Sequence, residues 1–323
     1  MGGAHEAGRV PRAGGAAAAG DGAPQARAAG AAIRLVALDL DGVVYRGGMV
    51  LPGVAEALRD VLRRGLDLRY VSNNSTAHRA TVSERLAGMG IPTGVERVLT
   101  SGFVTGRWLR TRLPAGAPVM VVGEAGLIRE LREAGLDAYH AAEPDRGSTG
   151  GPAAVPAAVA VGADRALSFP AIAAAQAAIM GGALFVATNL DPTFPTPEGL
   201  IPGAGAVVAA VATAAQSTPV LMGKPGLALA EILATITGVP SSQTLFIGDR
   251  LDTDIAMGRA AGMITGLVMT GVASEADLER ARAEGAAGEA GGAGSAGEAG
   301  GATLPDYVLA DLCELPALLD RLT

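Results

Sequence analysis

The chain has 323 residues and a formal net charge of -7, from 25 Lys and Arg against 32 Asp and Glu, and it carries no basic block of the kind that grips a nucleic-acid backbone. Hydrophobic residues make up 49%, but alanine supplies much of that share, and Gln176, Gly181 and Asn189 break the alanine-rich runs, so no stretch of about 20 strongly apolar residues spans a membrane. One cysteine, Cys313, cannot form an internal disulfide and fits a reducing, cytoplasmic setting.

Residues 1–32 are rich in Gly, Ala, Pro and Arg without apolar periodicity, and are expected to form a disordered tail. IRLVALDL, from Ile33, is a short apolar run ending in acidic residues and glycine, the pattern of a buried parallel strand whose carboxyl end meets a loop. Pro52 to Arg64 sets Val54, Ala57, Leu58, Val61 and Leu62 at helical spacing, and LDLRYVSNNS follows as a strand ending in small polar residues. Strand, helix, strand implies a right-handed crossover in a parallel sheet. The alternation recurs at PVMVVGEAG, AAVAVG and ALFVATNLD, with helices over Gly126 to Glu133 and Pro170 to Met180, then at PVLMGKPG and TLFIGDRLD. YVLADLCELPALL closes the chain as a strand and a helix. The expectation is an α/β protein with a Rossmann-like parallel-sheet core over 33–102 and 219–323, and an inserted α/β unit of domain size over 103–218. The Gly/Ala/Glu-rich stretch 284–302 is expected to be a flexible surface loop.

Four segments end predicted strands in polar residues: DLDGVVY from Asp39, SNNST from Ser72, GKPG from Gly223 and GDRLDTDI from Gly248. Singly, each has a bland reading as a turn, a helix cap, loop punctuation or a solvated helix start. Four acidic or phosphate-friendly loops at strand ends of one sheet point instead to a site, because chemistry in open α/β sheets gathers there. A calcium loop from Asp39 fails, since Val44 stands where glycine is needed and Val50 where a bidentate glutamate is needed. The Walker pattern fails because Pro225 follows Lys224, and the glycine clusters VVGEAGL and PGAGAVV lack dinucleotide-loop spacing.

The four ordered segments, with ATNLD between them, resemble the motifs of the haloacid dehalogenase (HAD) superfamily of phosphatases. Their wording is similar to subfamily IIA, which includes NagD-type nucleotide phosphatases, 4-nitrophenyl, phosphoglycolate and pyridoxal phosphate phosphatases, and actinobacterial glycerol-3-phosphate phosphatases. The resemblance covers Ile33 to about Ser274 and the terminal PDYVLADLCEL. It implies that Asp39 attacks phosphorus and forms a phosphoaspartyl intermediate, while Asp41 donates a proton to the leaving oxygen and later takes one from water. It implies an Mg2+ ion held by Asp39, the main-chain carbonyl of Asp41 and Asp249, with Asp254 in support. Lys224, Ser72, Asn73 and Asn74 would bind the transferring phosphoryl group. An aspartate at position 41 favours ester hydrolysis over carbon–halogen cleavage or ion pumping.

Only about 30 residues separate Asp41 from Ser72, which an ordinary loop, helix and strand use up. The resemblance therefore makes 103–218 a C2-type cap over the site, with homodimerisation through the cap as a family expectation. In such caps the loop after ATN faces the substrate, and Asn189, Asp191 and Thr193 are its candidate contacts. From Asn189 to Gly205 there is no Lys, Arg or His, and Phe194 is the one aromatic residue, so a carboxylate or a base beside the phosphate would lack its natural partner. Neutral hydroxyls need neither. A polyol phosphate, glycerol 3-phosphate first, is the expected substrate, with phosphoglycolate, nucleotides and 4-nitrophenyl phosphate as alternatives. Arg165 or Arg107, reaching in from the cap, would spoil that inference. The rival activities are phosphotransfer by the same aspartyl chemistry and a catalytically inactive binding module. His5, His78 and His140 show no metal-ligand spacing and are expected on the surface or in packing, and Cys313 is expected as a buried structural thiol.

Overall fold

The computed structural model describes residues 32–143, 156–196, 199–290 and 303–322, so the tail 1–31 and residues 291–302 lie outside it. β1 (Leu35–Asp39) leads into a hairpin of β2 (Tyr45–Arg46) and β3 (Met49–Val50), then α1 (Val54–Arg63), β4 (Asp67–Ser72), α2 (Arg79–Gly88), β5 (Val98–Thr100) and α3 (Ser101–Arg110). A second run follows, with β6 (Pro118–Val122), α4 (Ala125–Glu133), β7 (Asp137–His140), β8 (Ala158–Val161), α5 (Phe169–Met180) and β9 (Leu184–Ala187). It ends in an antiparallel ribbon of β10 (Thr193–Thr196) and β11 (Gly199–Pro202), α6 (Ala204–Ala215) and β12 (Val220–Leu221). The chain returns through α7 (Leu227–Thr237), β13 (Thr244–Gly248), a π-helical turn over Leu251–Ile255, and α8 (Ala256–Ala260). It closes with β14 (Ile264–Val268), α9 (Glu275–Ala290), β15 (Tyr307–Leu309) and α10 (Leu315–Leu322).

Six of these strands form one sheet in the order β15-β14-β13-β1-β4-β5, and five form a second, β12-β9-β8-β6-β7. Every pairing within both sheets is parallel. The strands of the second sheet fall in sequence between β5 and β13 of the first, so the second unit is an insertion. Leu35, Val36, Ala37 and Leu38 are fully buried, as a central parallel strand covered on both faces requires. Strand order runs one way from β1 through β4 and the other way through β13, and this reversal opens a crevice at the carboxyl ends of β1 and β13.

One apolar cluster joins the two units. Ala37 and Phe246 of the first sheet and Val119 and Ala160 of the second meet Trp108 and Leu109 of α3, Leu131 of α4 and Leu233 of α7. A polar contact crosses the same junction: the main-chain N–H of Arg79 donates to Glu130 at 2.8 Å, and His78 Nε2 lies 3.0 Å from Glu133. His78 is thus a buried helix cap, accepting from Ala80 N–H at its Nδ1, in a cluster with two glutamates that the sequence spacing does not display. Arg79 stands 3.6 Å from Glu130 and 3.7 Å from Glu133, and Arg129 stands 3.0 Å from Glu133, so two guanidinium groups face the two carboxylates.

The structure moves three expectations. β12 pairs with β9, so the stretch after 219 begins in the second sheet rather than the first. Helix α9 continues to Ala290, so residues 284–290 are helical instead of a loop, the alanines and glutamates outweighing the glycines among them. Cys313 is exposed, because Asp311 caps the turn in which it sits and the thiol lies along the surface at Pro52. Among the described residues, no helix is long and apolar enough to cross a membrane.

Candidate active site

Asp39 is the last residue of β1, and Asp249 follows directly after β13, so backbone pairing alone brings the two carboxylates to one crevice. The π-helical turn then carries Asp254 back under Asp249, where its Oδ2 accepts from the N–H groups of Asp249 at 3.2 Å and Arg250 at 3.1 Å. Carboxylate oxygens of Asp39, Asp249 and Asp254 lie within 4.8 Å of one another. Lys224 enters from the loop before α7, and its Nζ stands 2.5 Å from Asp39 Oδ1 and 2.7 Å from Asp254 Oδ1. Three carboxylates share one lysine, and this surplus of hard oxygen donors is the chemistry that suits a small divalent cation such as Mg2+. The structure thus draws Asp254 into the cluster with Asp39 and Asp249, where the resemblance implies a supporting place.

Electrostatics follow from this crowding. Burial pushes Asp39 up to about 7, opposed by Lys224 and reinforced by Asp254 and Asp249. Asp249 rises to about 6 through burial and the charge of Asp254, against a hydrogen bond from Val272 N–H. Lys224 is held cationic, since the two carboxylates outweigh its own burial. Asp41 sits two residues beyond Asp39 and is exposed by surface area, yet partial desolvation raises its pKa against the pull of Arg85 and Arg46. A carboxyl that keeps its proton longer and remains reachable is what a general acid requires.

Close approach explains two glycines. Gly42 has φ +79°, and a Cβ there would lie 2.5 Å from Asp249 Oδ2, while a Cβ on Gly271 would lie 2.0 Å from the same oxygen. Both loops must be bare for Asp249 to turn inward and accept from Val272 N–H at 2.7 Å. Thr270, whose hydroxyl donates to Gly42 O at 2.6 Å, ties these loops together. Neither Thr270 nor Gly271 stands out in the sequence, because their role is to clear and fasten space rather than to carry charge.

The SNNS segment divides its work. Ser72 Oγ accepts from Asn74 N–H at 3.2 Å, which leaves its own hydroxyl hydrogen free to donate. Asn74 Oδ1 accepts from both the N–H and the hydroxyl of Thr76 at 2.8 Å, and no hydrogen bond occupies its Nδ2 among the described residues. Asn73 turns away from that pair. Its Oδ1 accepts from Lys224 N–H at 2.8 Å, and its Nδ2 donates to Lys224 O at 3.1 Å and to Asp191 Oδ2 at 3.2 Å.

The loop after β9 therefore reaches the first sheet through Asp191. Asn189 is buried, donating to Asn73 O at 2.7 Å and accepting from Asp191 N–H at 3.0 Å, so its amide fastens the loop. Thr193 is exposed on β10, and no hydrogen bond links its side chain to the cluster among the described residues. Of the three residues expected to face substrate, Asn189 and Asp191 both reach Asn73, Asn189 at the Asn73 main-chain carbonyl and Asp191 at the Asn73 side-chain amide, and Thr193 does not among the described residues.

A doubly wound parallel sheet whose switch point gathers Asp39, Asp41, Lys224, Asp249 and Asp254 is the arrangement of a HAD-type hydrolase, and comparison agrees. Residues 36–137 match the family model described as haloacid dehalogenase-like hydrolase, and residues 221–315 match one described as HAD-hydrolase-like. The chain belongs to this hydrolase family. It is 34% identical over 242 residues to the dihydroxyacetone phosphatase of Corynebacterium glutamicum, covering 75% of this chain and 83% of that one. It is 36% identical over 269 residues to the glycerol-3-phosphate phosphatase of Gallus gallus, covering 77% of this chain and 83% of that one. Among solved structures, the magnesium complex of a glycerol phosphate phosphatase from Mycobacterium tuberculosis aligns with a TM-score of 0.72 at 32% identity, over 88% of this chain and 76% of that one.

Proposed function

We propose that this hydrolase is a Mg2+-dependent phosphatase of small polyol phosphate monoesters, glycerol 3-phosphate first, acting through a phosphoaspartyl intermediate. The observation that carries the reading is the buried Asp39–Lys224–Asp254 ion-pair set beside Asp249, with Asp41 two residues beyond the nucleophile. A carboxylate oxygen of Asp39 bonds to phosphorus as the ester P–O bond breaks, and Asp41 gives its proton to the departing alkoxide. Asp41, now ionised, takes a proton from the water that attacks the aspartyl phosphate, which frees phosphate and restores both carboxyl groups. Bound at Asp39, Asp249 and the Asp41 carbonyl, Mg2+ would supply positive charge where two anions must approach. Lys224 adds a fixed charge, Ser72 Oγ–H and Asn74 Nδ2 supply uncommitted donors for phosphoryl oxygens, and the inserted unit acts as the cap.

The substrate reading gains support from the cations near the inserted unit. Arg165 is held by Glu124 through two bonds of 2.5 Å and 2.6 Å, and Arg250 is held by Asp252 at 3.0 Å and 2.7 Å. Both guanidinium groups are thus committed, and the Asp191 carboxylate faces the site side of the loop. A substrate bearing a second anion would meet the Asp191 carboxylate beside two guanidinium groups already paired with carboxylates of their own, whereas hydroxyls find an acceptor there. The lone cysteine supports a cytoplasmic setting for the reaction.

Phosphate release from a panel of metabolite phosphates, with purified protein and Mg2+, tests the proposal. The expected outcome is a kcat/KM for glycerol 3-phosphate or another polyol phosphate above those for phosphoglycolate and nucleoside monophosphates. If either of the latter exceeds glycerol 3-phosphate by more than about tenfold, a gap of about 1.4 kcal/mol in transition-state binding, the polyol assignment falls.

A further inference from the structure

The two asparagines of SNNS stand side by side in sequence and look interchangeable as phosphate ligands, yet their hydrogen bonds separate them. An Asn side chain has two N–H donors and one carbonyl acceptor. Both Asn73 donors are committed, one to Lys224 O at 3.1 Å and one to Asp191 Oδ2 at 3.2 Å, and its Oδ1 already accepts from Lys224 N–H at 2.8 Å. The main-chain carbonyl is committed as well, accepting from Asn189 Nδ2 at 2.7 Å and from Ser101 Oγ at 2.5 Å. Gly223 leaves the room for this arrangement, since a Cβ there would lie 2.6 Å from Asn73 Oδ1 and 2.5 Å from Thr188 O.

From this geometry we infer that Asn73 is a positioning residue for Lys224 rather than a phosphate ligand, and that Asp191 acts on the lysine through Asn73 rather than by touching substrate alone. The amide clasps the lysine main chain by two opposed hydrogen bonds, as one strand holds its neighbour, so that Nζ is delivered between Asp39 and Asp254. The Asp191 carboxylate fixes the other N–H and thereby the orientation of the amide. Without that acceptor the amide can rotate, and the lysine loop loses the partner that sets its height in the crevice. The loop of the inserted unit and the charge centre of the first sheet are therefore coupled through one amide plane. The inference rests on the phosphatase reading only for its kinetic arm, because placement of the lysine also governs binding of inorganic phosphate.

The test compares wild type with Asp191→Asn, Asp191→Ala, Asn73→Asp and the double variant Asn73→Asp with Asp191→Asn. Each is checked for its thermal midpoint, for kcat and KM on 4-nitrophenyl phosphate and on glycerol 3-phosphate, and for inorganic phosphate affinity with Mg2+ by calorimetry. Asp191→Asn retains a carbonyl acceptor for the Asn73 amide and is expected to keep at least about threefold more kcat on 4-nitrophenyl phosphate, and tighter phosphate binding, than Asp191→Ala. Asp191→Ala removes it and is expected to lower kcat about tenfold or more on both esters by the same factor, with weaker phosphate binding, while a further rise in KM falls on glycerol 3-phosphate alone, whose hydroxyls lose their acceptor. Asn73→Asp sets two carboxylates face to face and is expected to lose more, and adding Asp191→Asn, which supplies a donor to the new carboxylate, is expected to recover at least threefold of that loss. A loss confined to glycerol 3-phosphate in Asp191→Ala overturns the inference, since a direct substrate contact would not touch 4-nitrophenyl phosphate. A double variant no better than Asn73→Asp also overturns it. Should Asn73→Asp not fold, the Asp191→Ala comparison decides alone. If no ester is turned over by wild type while phosphate affinity follows the expected order, the phosphatase reading fails and the coupling stands.

Discussion

The strands at the centre of the first sheet carry Leu, Ile, Val and Phe, whereas the inserted unit is built largely of alanine and valine: β8 is AVAV, and α5 and α6 read FPAIAAAQAAIM and AGAVVAAVATAA. Buried charge is arranged differently in the two: Glu130 and Asp164 of the inserted unit lie 3.6 Å from Arg79 and 3.2 Å from His140, whereas in the first unit three carboxylates crowd one lysine. Lys224, Asp249 and Asp254, all at most 3% exposed, sit in loops that feed or follow strands and helices of the first unit, around the end of β1, where the Asp39 side chain is 13% exposed. Desolvating those carboxylates is costly, and only a core of large side chains, each removing 1.5–3 kcal/mol of exposed apolar surface by order of magnitude, offsets such a cost (about 25 cal/mol per Å2). An alanine-built layer has less apolar area per residue to set against buried charge, and its polar residues gather at the margin, where Thr188, Asn189 and Asp191 meet the first unit. The first unit is therefore where buried charge and stability are coupled, and the inserted unit is where the loop of Asn189 and Asp191 that meets it is hung.

The sharpest way to break this division is Asp39→Asn. An amide cannot attack phosphorus, so kcat is expected to fall by more than about a thousandfold, whereas the far-ultraviolet dichroism and the cooperativity of melting stay those of wild type. Activity near wild type would remove Asp39 from its role and with it the contrast between the two units.

How much of this was legible beforehand depends on what kind of signal each feature left. Asp39, Asp249 and Lys224 could be found because polar residues ending apolar runs are rare, and β1, β4, β6, β8, β9 and β13 were visible as those runs. β14 hides in ITGLV because Thr265 and Gly266 interrupt its apolar pattern; in the fold, Thr265 is satisfied by Asp306, whose Oδ2 accepts its N–H at 2.8 Å and its hydroxyl at 2.9 Å. The junction of Asn73, Asp191 and Lys224 was out of reach, because its members lie far apart in the chain and its meaning resides in which donor faces which acceptor. Asn189 shows the same limit: its place in the loop after ATN suggested a substrate contact, and only the structure shows its buried bonds to Asn73 O and Asp191 N–H, which brace the loop. Glycines 42 and 271 were illegible for a related reason, since a close approach leaves no mark on either residue alone.

A smaller effect sharpens the contrast in packing. Leu38, fully buried in β1, is expected to cost about 2–5 kcal/mol when cut to alanine, because a rigid large-residue core relaxes little around the cavity. Val159, fully buried in β8, loses two carbons on the same substitution and is expected to cost about 1.6 kcal/mol in transfer alone, with a smaller cavity to add. Chemical denaturation at equal ionic strength measures both. Equal losses would mean that the alanine-rich layer is packed as tightly, side chain for side chain, as the first sheet.

The smallest expected effect tests whether the buried charges strain the first unit. Asp249 has its pKa raised from the ordinary value of 3.8 to about 6, by burial first and by Asp254 second. A raised carboxyl pKa means that the folded state holds its proton longer than the unfolded chain. As pH climbs from about 4 to about 6 the unfolded chain releases its proton first, so stability falls through that window and levels off above it. The gap corresponds to at most about 3 kcal/mol. Asp249→Asn removes the titration, while its amide oxygen still accepts from Val272 N–H, the bond that Asp249 Oδ2 makes at 2.7 Å. In chelator, the variant is expected to melt with wild type near pH 4 and increasingly above it up to about pH 6, with a constant advantage beyond. Adding Mg2+ at pH 7.5 is expected to raise the midpoint of wild type and to leave the variant nearly unmoved, because a bound cation stabilises only the state that can hold it. A difference between the two proteins that is the same at pH 4 and pH 7 would show that Asp249 is ionised in the fold without strain, and that its charge is balanced by Lys224 and Arg250 alone.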